Sequence, residues 1–337
     1  MTRTNESRIA GLDALRGIAA LAVVLFHFTN KHADLPGLAM PAWGSWFRYG
    51  HHGVELFFVI SGYVMLMSVE RAATPWRFIV GRFERLMPTF WAGTTITFLA
   101  ILALGLGPRA VSVSDWLVGL TMQTEALNLV FRRDPPWRIV DGVYWTLTVE
   151  WFFYFLIFGV RLIGGIGREK VWCVLWIATI VLLSKLDGPW IIQALLGAKW
   201  APYLATGVVI ARMQQGKISR SLGSVILLGF GICAGVVSGA EAWWIWVIAT
   251  AAVAWATSNG NSALALRPLL WLGGISYPLY LIHQNVGLSV LNRMQQKGIA
   301  WEASFGVAIV STFAIAWILH ETVELKVANW IKQRRSR

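Results

Sequence analysis

The residues with chemistry to offer stand where a membrane segment should have none. LDALRGIAALAVVLFHF (12–28) is an apolar run interrupted by Asp13, Arg16 and His27. A charge at mid-bilayer costs roughly 2.5–3.5 kcal/mol even on a lenient scale. At about 100° per residue, the step from Arg16 to His27 returns to within about 20° of one direction, and Asp13 falls about 40° from His27. One helix face thus carries all three, with Arg16 and His27 about 16 Å apart along the axis, and such a face lines a cavity rather than lipid. In the next apolar segment, GVELFFVISGY (53–63), Glu55 lies at a similar depth to His27. A carboxylate beside a histidine fixes its tautomer and stabilises the imidazolium, which is general-base chemistry. The plainer alternative is a buried pair that only sets helix packing.

Other polar residues interrupt later apolar runs. YWTLTVEWFFYF (144–155) carries Glu150 well inside the bilayer, where it needs a partner such as Arg16 or Lys199, or a substrate. In GGISYPLYLIHQN (273–285), Pro278 removes a helical hydrogen bond and predicts a kink. Ser276, Tyr280 and His283 place hydrogen-bonding groups around it, and His283 reads first as a packing histidine and second as a site residue. RFIVGRFERLMP (77–88) sets Arg77, Arg82 and Arg85 beside the membrane, where they are either topogenic charge or an anchor for a phosphorylated cofactor. His320, Glu321 and Glu324 close the last apolar run and answer local arginines. His51-His52 resembles a metal pair, but no further ligands complete a set, so no metal is expected.

These residues must be positioned by membrane helices. The chain has 337 residues, 56% of them hydrophobic and 14% charged, where a soluble domain carries about 25% charged residues. Ten spans are expected at 9–29, 52–70, 88–107, 142–162, 171–187, 191–211, 221–239, 242–258, 268–290 and 303–320, giving an all-α, polytopic membrane helix bundle. With both termini cytoplasmic, the inner segments hold roughly twice as many Lys and Arg as the outer ones. Topology therefore explains most of the net charge of +12, and nucleic acid is not needed. Cys173 and Cys233 fall in apolar spans and suggest neither disulfide nor metal cluster. No repeat, cleavable signal or appended soluble domain is evident, so residues 1–337 read as one membrane domain. The longest connection, 108–141, lies outside and has room for a re-entrant or interfacial helix before Asp134-Pro135-Pro136 breaks it.

Taken in order, the Arg16-to-His27 spacing, GVELFFVISGY, the Arg82-Phe-Glu-Arg85 segment, WTLTVEWFFY and GGISYPLYLIH resemble the acyltransferase-3 family of integral membrane proteins. The resemblance covers residues 11–283. It implies transfer of an acyl group, usually acetyl from cytoplasmic acetyl-CoA, to hydroxyls of surface or secreted glycans at the bacterial inner membrane. It also implies that His27 is the catalytic histidine and Arg16 its companion, while Arg82 and Arg85 match the cytoplasmic arginine motif. Glu55 and Glu150 match carboxylate positions. Two departures stand out. Trp151 replaces a second acidic residue of the pattern, and Glu324-Leu-Lys replaces its terminal Glu-basic-Pro.

The expected mechanism has His27 as general base, oriented by Glu55 or another carboxylate, with Arg16 lining the donor path or holding Asp13. Arg77, Arg82 and Arg85 anchor the CoA phosphates. Asp13, Glu150, Ser276, Tyr280 and His283 give substrate or structural support. An acyl-imidazole on His27 is the other route. The expected partners are acyl-CoA, a glycan or lipid-linked oligosaccharide acceptor and membrane lipids, with a homo-oligomer or glycan-assembly partners left open. A secondary transporter or exporter using the same buried charges is the rival class, and a packing scaffold a third. A transporter predicts inverted repeats with paired broken helices, and only Pro278 marks a break here.

Overall fold

The apolar runs of the sequence become helices in the computed structural model, which describes residues 9–31, 35, 38, 41–165, 167–168, 171–172, 175–176, 178–179, 199–258 and 264–335. Among the described residues all regular structure is helical. Helix α1 covers Ala10–Asn30 and α2 Gly53–Arg71. Then come α3 at Pro75–Leu104, the short α4 at Val113–Gly119 and α5 at Thr124–Phe131, and α6 at Trp145–Leu162. Further along lie α7 at Ala201–Gln214, α8 at Arg220–Ser238, α9 at Ala240–Thr257 and α10 at Arg267–Gln296. Helix α11 at Trp301–Leu319 runs through a π-helical segment, His320–Glu324, into α12 at Leu325–Arg335.

Six helical stretches among the described residues are long and apolar enough to cross a membrane: Ala10–Asn30, Ala42–Arg71, Pro75–Leu104, Gly142–Leu162, Arg220–Ser238 and Trp301–Arg334. Several expose a stripe of apolar side chains at helical spacing, such as Val225, Leu228, Ile232 and Val236 on α8, which suits contact with lipid tails. The expected spans at 171–187 and the first part of 191–211 lie largely outside the described residues.

One expectation is corrected. The arginine-rich stretch 71–87 is a short connection at 72–74 followed by helix from Pro75, not a loop reaching residue 87. Helix α3 starts at Pro75, thirteen positions before the expected span, and Arg77, Arg82 and Arg85 ride on its first turns. The reason is local. The Thr74 hydroxyl accepts the Arg77 N–H at 3.2 Å as a cap, and proline in the first turn gives up only a hydrogen bond that is absent there anyway.

The chain divides into two compact units. The first comprises 1–19, 52–81 and 149–273, and the second 20–51, 82–148 and 274–337. In the first unit, α2 and α7 touch backbone to backbone. A Cβ at Gly62 would run into the Leu204 carbonyl, and one at Gly207 into the Val59 carbonyl. Polar groups on the same helices pair with each other: Tyr63 donates to Gln214 at 2.8 Å, and buried Arg212 meets Glu70. α1 likewise approaches α10 closely, because Gly273 leaves room for the Asp13 carbonyl.

In the second unit, hydroxyls tie α10 to its neighbours. Tyr277 donates to the Leu86 carbonyl at 3.0 Å, and Tyr280 to the Val143 carbonyl at 3.1 Å. Phe28 fills the space left by Gly287, and Trp43, Trp301 and Phe305 form an aromatic cluster beside it. The segment 108–141 folds into the two short helices α4 and α5 instead of one re-entrant helix. Asp115 anchors it. Burial works against its charge, but N–H and hydroxyl donors of Ser112 and the Arg138 N–H hold its carboxyl below the usual range. Helix α5 ends at Phe131, just before Asp134-Pro135-Pro136, as proline sterics require.

Candidate active site

His27 lies near the end of α1 in the second unit, 9% exposed among Val23, Val24 and Phe28. A helical side chain leans back toward the preceding turn, so its Nδ1 comes 2.8 Å from the Val23 carbonyl. The same nitrogen is 3.1 Å from Nε2 of His283, a fully buried residue of α10. The other ring nitrogen of His283 is 2.9 Å from the Tyr280 carbonyl. A carbonyl only accepts, so each Nδ1 must carry the proton. His283 Nε2 is then the acceptor for His27 Nδ1–H. This leaves the lone pair of His27 on Nε2, with no hydrogen bond to any described residue. Phe26 packs edge-on against the His27 ring at 5.2 Å, with no polar atom to compete.

His283 keeps its place through an unusual stretch of α10. Asp141, fully buried at the start of the fourth apolar run, accepts the Asn285 N–H at 2.9 Å and caps Val143 at 3.2 Å. The Leu281 carbonyl, which a regular helix pairs with Asn285, accepts the Tyr144 hydroxyl at 3.1 Å. Both ends of that helical rung are therefore engaged from 141–144. Asn285 also donates to the Val140 carbonyl at 2.8 Å, and Arg109 donates to Asn285 at 3.1 Å and to the Lys31 carbonyl at 3.0 Å. Arg109 thus ties Lys31, just past the end of α1, to Asn285, two positions beyond His283 in α10. Tyr280 meets the Thr146 hydroxyl at 2.8 Å, and Ser276 is buried one turn earlier.

Glu55 belongs to the first unit, in a second histidine cluster. Its Oε1 lies 3.2 Å from His52 Nδ1, and His52 Nε2 lies 3.3 Å from Glu241 on α9. The groups that orient the His27 ring are accordingly a carbonyl and a second histidine, not the carboxylate expected from the sequence. Glu150 accepts a hydrogen bond from Ser61, and Lys199 sits 4.6 Å over the Trp200 ring. Asp13 and Arg16 are half-buried on the first half of α1. Arg77 and Arg85 are exposed on α3 and Arg82 is half-buried, a donor set that suits phosphate oxygens. No group of three metal-ligating side chains exists among the described residues.

Sequence reasoning missed Asp141, Arg109 and Glu241, and it considered His52 only as a metal ligand. Asp141 had a visible signal, an aspartate at the head of an apolar run where a helix cap belongs. The partnerships of His27 with His283 and of His52 with Glu241 had none, because they join residues 256 and 189 positions apart.

A family model described as an acyltransferase domain matches residues 9–321. Over 119 residues the chain is 37% identical to the exopolysaccharide production protein ExoZ of Rhizobium meliloti, covering 33% of this chain and 34% of that one. It is 23% identical to nodulation protein 10 of Rhizobium leguminosarum bv. viciae over 96% of this chain and 95% of the relative. With the O-acetyltransferase OatA of Staphylococcus aureus it shares 23% identity over 95% of this chain, which spans only 57% of OatA. No solved structure matches.

Proposed function

This chain belongs to the acyltransferase-3 family, and from that premise we propose that it moves an acetyl group from cytoplasmic acetyl-CoA to a hydroxyl of a surface or secreted polysaccharide or lipo-oligosaccharide. It is an acyltransferase and an integral membrane protein. In this reading it crosses the bacterial inner membrane ten times as one domain, with both termini in the cytoplasm. The similarity to an exopolysaccharide production protein, a nodulation protein and an O-acetyltransferase supports a glycan acceptor.

The observation that carries the reading is the state of His27: Nδ1–H is held by Val23 and His283, and Nε2 is left with its lone pair. That nitrogen takes the proton of the incoming hydroxyl. The positive charge that develops on the ring is met by His283 Nε2 and by the Val23 carbonyl, both acceptors already in place. When the bond to the leaving group breaks, Nε2 returns the proton to the departing sulfur. Acetyl-CoA supplies the activated carbonyl. Arg77, Arg82 and Arg85 hold its phosphates, and Arg16 lines the donor side of α1. The apolar residues around His27 exclude water that would otherwise compete for the acyl group. Glu55 serves the acceptor rather than the His27 ring, and Glu150, Asp13, Ser276 and Tyr280 support the surrounding helices.

A deletion strain complemented with wild type or His27→Ala tests this. Ester-linked acyl groups on surface and secreted glycans, measured by mass spectrometry, are restored by wild type and not by the variant. An ester pattern unchanged in every strain, with glycan export altered instead, would sink the acyltransferase assignment in favour of a transporter.

A further inference from the structure

The His52 cluster has one atom that no described residue satisfies. Glu55 is 7% exposed; its Oε1 faces His52, while its Oε2 is buried with no hydrogen-bond partner among the described residues. Buried carboxylate oxygens without a donor are rare and costly, and a bound ligand would supply one here. Three donors come into question: a metal ion, an ammonium group and a hydroxyl. A metal would need His52, but both of its ring nitrogens already face carboxylates. An ammonium group is left as an outcome of the test below. A hydroxyl has no such conflict.

The surroundings fit a sugar. Phe58, one helical turn beyond Glu55, packs on the Trp200 ring at 5.5 Å, and Trp200 is followed by Tyr203 at 6.5 Å. Aromatic faces of this kind take the C–H side of a pyranose, while a few fixed polar groups select its hydroxyls. His52 aims Glu55 through one ring nitrogen, 3.2 Å from its Oε1, while the other lies 3.3 Å from Glu241. Glu241 is 61% exposed, which leaves the cluster open to solvent at that end.

We infer that Glu55, held by His52, which Glu241 braces in turn, and one helical turn from the Phe58–Trp200 pair, is a binding subsite for a pyranose hydroxyl of the glycan acceptor. The inference rests on the glycan acceptor proposed above. Glu55 touches the sugar; His52 and Glu241 are positioning residues that act through it.

The test uses full-length protein in detergent with alkali-deacylated surface polysaccharide from the source strain as probe. Binding is read by intrinsic tryptophan fluorescence and transfer by acetyl-CoA consumption. Glu55→Gln raises the polysaccharide KM and Kd at least about tenfold, because the site loses a charged acceptor, and leaves the acetyl-CoA KM within about twofold. The exposed Glu241→Gln, a milder change to the fold, moves the same two constants in the same direction by about threefold. His27→Ala binds the polysaccharide like wild type. Unchanged polysaccharide Kd in folded Glu55→Gln and Glu241→Gln, or Glu55-dependent binding of ammonium ion in place of the polysaccharide, overturns the subsite while the acyltransferase reading stands. Polysaccharide binding that depends on Glu55 in a wild-type protein that transfers no acetyl supports the subsite and defeats the reading instead.

Discussion

Two histidines of this protein have been given opposite surroundings. Among the described residues no carboxylate bonds to the His27 ring: a main-chain carbonyl and a second histidine hold one nitrogen, and the other makes no hydrogen bond. His52 stands between Glu55 and Glu241. The first arrangement preserves a lone pair and can take up a proton during a reaction. The second has a carboxylate facing each ring nitrogen, an arrangement that holds and orients. On the proposed mechanism, identical side chains serve as a base and a brace, according to what lies opposite each nitrogen.

The contrast can be broken most directly at His27. His27→Ala lowers acyl transfer by at least about a hundredfold, the usual value of a general base, with unchanged folding by fluorescence-detected size exclusion. His52→Ala, by comparison, leaves measurable turnover at saturating acceptor. If the two variants lose activity equally, the division into base and brace fails.

His283 sharpens the same comparison. His283→Leu removes the acceptor for His27 Nδ1–H and lowers turnover by about 10–100-fold, since a hydrogen bond to a charged ring is worth about 1.5–3 kcal/mol. His283→Gln, whose amide oxygen can accept that proton, recovers most of the rate. A packing role alone predicts no such rescue.

The bracing unit depends on close backbone contact as well as charge. Gly207→Val drives a side chain into the Val59 carbonyl and destabilises the protein by about 3 kcal/mol, read as a lower melting temperature in detergent. The smallest effect is expected at Asp115, a carboxylate held by donors without any histidine. Ser112→Ala removes its cap partner and costs about 1 kcal/mol. Because the folded Asp115 titrates below its unfolded value, its stabilisation is present above the unfolded value and disappears as pH falls through the lower folded one. Melting curves in the acid range therefore converge for wild type and Asp115→Asn and separate at neutral pH.

Much of the helical framework was readable from hydropathy. The expected 9–29, 52–70, 221–239 and 242–258 each lie within one or two residues of α1, α2, α8 and α9. α3 was misplaced at its start because Arg77, Arg82 and Arg85 lower the hydropathy of a stretch that is still helical. The cap at Thr74-Pro75 was the better guide. His27 stood out because its cost in an apolar run is a one-dimensional property. Its orientation was not readable, since a ring is held by whichever groups the packing of α10 against α1 brings up. The sequence suggested Glu55, matched to His27 by depth in its span, and the fold placed His283 against the ring.

Asn285 has a consequence for how such a protein can change. Arg109 and the stretch from Val140 to Asp141 both fasten to this one residue, two positions beyond His283. They are the two feet of the excursion that contains α4 and α5. With its feet pinned to α10, the excursion can exchange residues, lengthen or shorten without moving His283. Such an arrangement lets the sequence between the feet vary independently of the helix they grip.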